Sequence, residues 1–456
     1  MNAVILHTMI TCLTAGAGAW DDGAAVELRY TGTLERSGSE AAAPVVKRFT
    51  AYCQSRRQAL GGHVVAFVLD ERGRGNQAWP ERFGELQFDD QHKISQRGSW
   101  RLLYQHEAVS ATGVPLPLPL FEKGEELKAG AKWTSGRESY EVMKKKTIET
   151  RACWQIDVAL NIGHKRSIWV EQGTPLVVSV EERVFVGQGE EYLLKMQLES
   201  LKPLDEKEVA RLKAPWDTLR KLKADLKRGE DEVKSELSDD QLKLAAEVAP
   251  RLDKEAADTP FGHIASVITK DVKAQVGRSD EVAKLAKKLV GQSAPDWKLV
   301  TLDKQPIDSK SLLGKIVVLH FWSYQGEPLE EPYGQVGYLD FLYGKRRKLG
   351  VEIIGVAVDG RLADPQTAPA AVKSFQKLRG FMNLSYPLAT DTGSVLDKFG
   401  DPRRVGAKLP LWIVIDAEGK VAQYQAGFFS INPDEGLREL DDLLVKLIRQ
   451  AKAKSN

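Results

Sequence analysis

KIVVLHFWSYQGEPL, residues 315–329, holds an unbroken apolar run from Ile316 to Leu319, continued by Phe321 and Trp322, and then turns polar. An apolar run without alternation is the pattern of a strand buried on both faces, as in a parallel sheet flanked by helices. The polar stretch after it predicts a turn and then a charged helix to about Leu349. Working outward, VEIIGVAVD (351–359) reads as a second parallel strand and 368–379 as a second helix. LSYPLATD (384–391) is a short strand and SVLDKFG (394–400) a short helix. LPLWIVIDAEGKVAQYQAGF (409–428) gives two antiparallel strands joined by an Asp416–Gly419 turn, and INPDEGLRELDDLLVKLIRQ a closing helix. This β-α-β-α-β-β-α order predicts helices on both faces of one central sheet.

The segment leading into the run, VGQSAPDWKLVTLDKQPIDSKSLLGKIVVLHFWS, carries Gly291, Ala294, Pro295 and Trp297. It resembles the opening of the redoxin branch of the thioredoxin superfamily, TlpA-like and related to the AhpC/TSA group. The resemblance covers residues 290–452 and implies a C-terminal α/β thioredoxin-like domain. The family pattern at the strand end is Phe-Trp-Ala-x-Trp-Cys-Gly-Pro-Cys. Its helix N-terminus favours negative charge and so lowers a thiol pKa. Aligned on Phe321, Trp322 and Pro328, the two cysteine positions are Gly326 and Leu329, and no cysteine follows Cys153. Thiol–disulfide exchange and peroxide reduction both start from a thiolate. The resemblance therefore implies the fold with no catalytic residue at its usual site.

Other residues of the junction have two readings each. Glu327, Glu330 and Glu331 are candidates for general acid–base work, but acidic residues in a first helical turn more simply complement the helix dipole. Trp322, Tyr324 and Leu409 form either a patch for a peptide, with Gln325, Glu327 and Pro328 beside it, or ordinary packing. Pro410 falls at the family's cis-proline position ahead of Leu411–Ile415, where the resemblance implies that it shapes a groove.

Residues 22–203 read as an antiparallel β domain. Apolar residues fall every second position in Trp154, Ile156, Val158 and Leu160, in Leu176, Val178 and Val180, and in Tyr192, Leu194, Met196 and Leu198. Period two marks half-buried strands, and Gly163, Gln172-Gly173 and Gly187-Gln188-Gly189 supply turns. The expectation is a meander of about five strands over Glu138–Ser200, with earlier strands at 25–34, 63–70 and 100–108. Val114–Leu120 alternates with proline and reads as an extended loop, and 44–60 as a helix. The meander resembles the half-barrel of LolA/LppX-type envelope proteins, which implies an apolar ligand on its concave side. A plain sandwich or partial barrel with no ligand is the alternative. Residues 204–289 are rich in Lys, Glu, Leu and Ala at helical spacing and read as a charged connector. Pro215, Gly229, Pro250 and Pro260-Phe261-Gly262 are expected to break it into short helices.

The chain has 456 residues and a formal net charge of +2, long enough for two or three domains and too nearly neutral to suggest a nucleic-acid-binding protein. The seven histidines show no HxxxH or HExxH spacing, so neither metal nor cofactor is expected. Residues 1–19 carry an apolar core from Ala3 to Leu13 and the small-residue triplet Ala17-Gly18-Ala19. They read as a signal peptide whose cleavage removes Cys12 and sends the chain to the cell envelope, periplasm or exterior; without it the chain is cytoplasmic. No transmembrane segment is expected beyond it. Cys53 and Cys153 then remain as a structural disulfide, as two unpaired thiols, or as a remote redox pair. The leading functional expectation is a redox-inactive binding or scaffolding module with a protein or peptide partner. The alternatives are a thiol–disulfide oxidoreductase or antioxidant protein using the remote cysteines, and apolar-ligand binding by the β domain.

Overall fold

The computed structural model describes residues 25–37, 44–58, 61–106, 111–122, 127–160, 165–187, 189–229, 235–323, 335–432 and 434–455. The signal-peptide reading of residues 1–19 lies outside them. The chain divides into two compact units, Met1–Lys273 and Ala274–Asn456.

The first unit is built on strands β1 (Val26–Arg36), β2 (Val45–Arg57), β3 (His63–Gly73), β4 (Phe83–Phe88), β5 (Ile94–Gln96), β6 (Arg101–Tyr104) and β7 (Thr112–Pro115). It continues with β8 (Lys132–Ser135), β9 (Glu138–Ile148), β10 (Arg151–Leu160), β11 (Lys165–Glu171), β12 (Val177–Val186) and β13 (Glu190–Pro203). Eleven of them form one sheet in the order β5-β4-β3-β2-β1-β13-β12-β11-β10-β9-β8, while β6 and β7 pair separately. The five-strand meander from Glu138 onward is β9 to β13, as its period-two pattern predicts.

Apolar residues of this sheet pack against residues 100–104 and 114–120 of the same unit. Trp100, Leu102, Tyr104, Val114, Leu116 and Leu120 join one cluster with Leu28, Phe67, Ile156 and Leu194. Trp100 donates its indole N–H to the Pro117 carbonyl at 2.8 Å, and Tyr30 its hydroxyl to the Val177 carbonyl at 2.8 Å.

Three local expectations are corrected. Residues 44–60 contribute a strand, β2, because Val45, Val46, Phe49, Thr50 and Tyr52 favour a pleated surface and Phe49, Ala51 and Cys53 face the core. Val114–Leu120 is a loop only in part, since Val114 pairs with Leu102 in the β6–β7 ribbon. Residues 204–289 form three helices, α1 (Glu206–Leu226), α2 (Asp239–Ala256) and α3 (Gly262–Leu289), with Pro215 and Pro250 inside the first two. Reciprocal capping boxes, Asp205 with Glu208 and Ser238 with Gln241, and burial of Leu212, Trp216, Leu219 and Leu222 outweigh the proline cost of about 3 kcal/mol. These helices are packed on the β domain rather than merely linking: Trp216 donates to Glu85 at 3.1 Å, and Tyr52 meets Phe261 edge-on at 5.4 Å.

The second unit adds β14 (Lys298–Thr301), β15 (Pro306–Asp308), β16 (Ile316–Trp322), β17 (Val351–Val358), β18 (Leu388–Asp391), β19 (Leu411–Ile415) and β20 (Val421–Ala426). Their sheet order is β15-β14-β18-β17-β16-β19-β20, with β16, β17 and β18 mutually parallel. Helices α4 (Val336–Arg346), α5 (Ala368–Met382) and α7 (Arg438–Ser455) bury their apolar stripes on one face. The short α6 (Ser394–Lys398) and the end of α3 pack on the other. The turn at 416–419 closes by Asp416 Oδ1 accepting from the Glu418 and Lys420 amides, each at 2.9 Å.

Two buried polar groups generate predictions. Lys47 and Glu71 form a fully buried ion pair at 2.9 Å, with Glu71 also accepting from the Gln77 amide at 2.6 Å. Glu71→Ala strands the ammonium without its partner and should lower stability in denaturant melts by about 3–5 kcal/mol. The Lys47→Met, Glu71→Leu double variant should lose much less, and equal losses would count against the pairing. His320, on β16, has no hydrogen-bond partner for either ring nitrogen and stacks on Trp412 at 3.9 Å. Burial pushes its pKa down to about 3 from 6.5. The unfolded chain therefore binds one more proton between those values, so this group costs no stability above about pH 6.5 and progressively more as pH falls. The slope reaches about 1.4 kcal/mol per pH unit. Urea melts of His320→Leu should show that slope removed relative to the native chain; identical slopes would refute it.

Candidate functional site

Strand β16 is central in its sheet, parallel to β17 and antiparallel to β19, and all seven of its residues are buried. Phe321 pairs with Leu411, which brings the end of the strand beside the Leu409–Pro410 bond. That bond is cis, and the Pro410 carbonyl accepts from the Gly427 amide at 2.8 Å. Pro410 is buried, and Leu409 is half-buried against the cluster of Phe321, Leu411 and Ile413.

Trp322 is only 2% exposed and sets its ring edge-on to Phe375 at 5.9 Å. Of its two readings, packing is the one observed, because its position on β16 points it under α5. Tyr324, Gln325, Gly326, Glu327, Pro328 and Leu329, with Glu330 and Glu331, lie outside the described residues.

Gln335, at the start of α4, is buried and in the left-handed region at φ 65°. Its amide Nε2 donates to the Phe429 carbonyl at 2.7 Å, while Oε1 accepts from the Phe429 amide at 3.2 Å. This two-way lock fixes the start of α4 against the chain beyond β20. Sequence reading missed it, since nothing in the pattern distinguishes this glutamine from a surface one. His320 was missed although it carried a signal: it is the one polar residue inside the run Ile316–Trp322.

Cys53 on β2 and Cys153 on β10 are both fully buried and both unpaired, so the disulfide alternative is not realised. Four strands, β1, β13, β12 and β11, separate theirs in the sheet order. Cys153 lies three residues before Ile156, which strict period two would place on opposite faces, yet both are buried in one cluster; opposite Trp154–Ile156 the partner strand β9 carries one extra residue. Burial raises the Cys53 thiol pKa well above its ordinary value. Burial, then the nearby Glu171 carboxylate, pushes Cys153 up to about 11. A neutral thiol is neither a nucleophile nor a metal ligand. Among the described residues no three His, Cys, Asp or Glu side chains are placed to hold a metal ion.

Residues 290–424 match the AhpC/TSA family. The chain is 33% identical over 139 residues to the thiol-disulfide oxidoreductase ResA of Bacillus thuringiensis strain Al Hakam, covering 30% of this chain and 70% of the relative. It is 34% identical over 134 residues to ResA of a Bacillus cereus strain, covering 29% and 68%. Among solved structures, a thiol:disulfide interchange protein from Bacteroides sp. is similar with a TM-score of 0.26 and 17% identity, over 35% of this chain and 90% of that one. A thiol:disulfide interchange protein of the thioredoxin family from Chlorobium tepidum TLS is similar with a TM-score of 0.26 and 20% identity, over 34% and 96%. By its second unit, then, this chain belongs to the AhpC/TSA family, as a thioredoxin-like redoxin-domain protein.

Proposed function

We propose that this protein is an exported member of its family whose redoxin domain has given up thiol chemistry and acts as a binding or scaffolding module. One observation carries the reading: the positions of the reactive pair are Gly326 and Leu329, with no cysteine anywhere after Cys153. The burial of the remaining described thiols in the other unit supports it, because oxidoreductase action through Cys53 or Cys153 would need an accessible thiolate. Export is supported by the apolar core and small-residue triplet of residues 1–19. Apolar-ligand binding by the first unit is the weaker reading, because the apolar residues of its sheet pack against Trp100, Leu102, Leu116 and Leu120 of the same unit.

Insulin reduction and peroxide consumption test the proposal. The purified protein should not exceed the uncatalysed background in either assay, and Cys53→Ser with Cys153→Ser should change nothing. Turnover above background would refute it, and turnover abolished by those substitutions would establish the remote-cysteine alternative. N-terminal sequencing of protein recovered from the envelope fraction should begin at Trp20; an intact Met1 in a cytosolic fraction would contradict export.

A further inference from the structure

We propose that the outward face of α4 and α5 is a docking surface for an anionic lipid bilayer. Both helices pack on the same apolar cluster, α4 through Val336, Leu339 and Leu342 and α5 through Ala371, Phe375 and Leu378. Their opposite faces turn away from the sheet, and there Phe341 is 63% exposed and Phe381 74% exposed. A Cβ placed on Gly337, one turn before Phe341, would stand 3.4 Å from Met382, the neighbour of Phe381. The two large apolar side chains are thus carried near one another by adjoining helices.

The charge around them is one-sided. Residues 336–349 hold the run Lys345-Arg346-Arg347-Lys348 and a single acid, Asp340. Helix α5 holds Lys373, Lys377 and Arg379 and no acid, in a chain whose total is only +2. Some of these cations are engaged: Lys345 and Arg346 both with Asp441, at 2.7 and 2.6 Å, and Arg379 with Asp303 at 2.8 Å. Lys348, Lys373 and Lys377 are exposed. Lys373, Lys377 and Phe381 recur every fourth residue, so α5 aligns cations and ring on one stripe, and Lys348 follows two turns after Phe341.

Shape decides between a lipid surface and an acidic polypeptide. Peptides and small ligands are held in grooves that wall in their side chains. Here the rings protrude, and a Cβ placed on Gly344 or Gly380 beside them would meet nothing within 4 Å. Protruding phenyl groups ringed by lysines fit a fluid interface, where the rings enter the acyl boundary and the ammonium groups stay among anionic headgroups.

Co-flotation of the full chain with vesicles tests this. The protein should float with vesicles of phosphatidylglycerol and phosphatidylcholine in equal parts, be released by high salt, and stay behind with phosphatidylcholine alone. Phe341→Ser with Phe381→Ser, and separately Lys348→Glu with Lys373→Glu and Lys377→Glu, should each weaken partitioning by about tenfold or more. Phe341→Trp with Phe381→Trp should keep binding and shift tryptophan emission to the blue on vesicle addition, which guards against a serine variant that merely misfolds. Absent binding, equal binding to neutral vesicles, or both tryptophan and serine variants behaving as the native chain would overturn the proposal. So would polyglutamate binding that needs the lysines while vesicle binding does not occur, which would mark an acidic-polypeptide site.

Discussion

Burial of the strand Ile316–Trp322 on both faces, with neighbours hydrogen-bonded along both edges, is the constraint on which the second unit depends. Each large apolar side chain so buried contributes roughly 1.5–3 kcal/mol. The stability of the domain resides in that strand and in what packs on it: Trp322 against Phe375, His320 against Trp412, and Gln335 clasping Phe429. None of these contacts uses a thiol. The packing that supports the strand is therefore independent of whether the sequence after it carries cysteines.

The first unit obeys a different constraint. Apolar residues of an eleven-stranded sheet pack against residues 100–104 and 114–120 of the same unit. Cys53 and Cys153 are part of that core. Their thiols are small apolar fillers in a medium that resists charge, so the burial that stabilises the sheet also disfavours the thiolate.

How much of this was legible in the sequence depends on how local the signal was. The run at 316–322 declared a central strand because no alternation is needed when both faces are buried. Strands β9 to β13 declared themselves by period two. The burial of Cys153 beside Ile156 departs from strict period two next to a bulge in β9, and a bulge leaves no mark in composition. Pro215 and Pro250 were misread because their cost is local while the packing that offsets it is tertiary. At the candidate site Pro410 was legible as a cis position, while Tyr324–Leu329 lie outside the described residues. Gln335 was not, since its role consists of a partner 94 residues away.

Neither Cys53 nor Cys153 should be available for exchange in the folded protein. Maleimide labelling of the native chain, read by peptide mass spectrometry, measures this directly. No adduct is expected on Cys53 or Cys153 until denaturant is added, and then complete modification of both. Rapid labelling of either cysteine in the native state would contradict it.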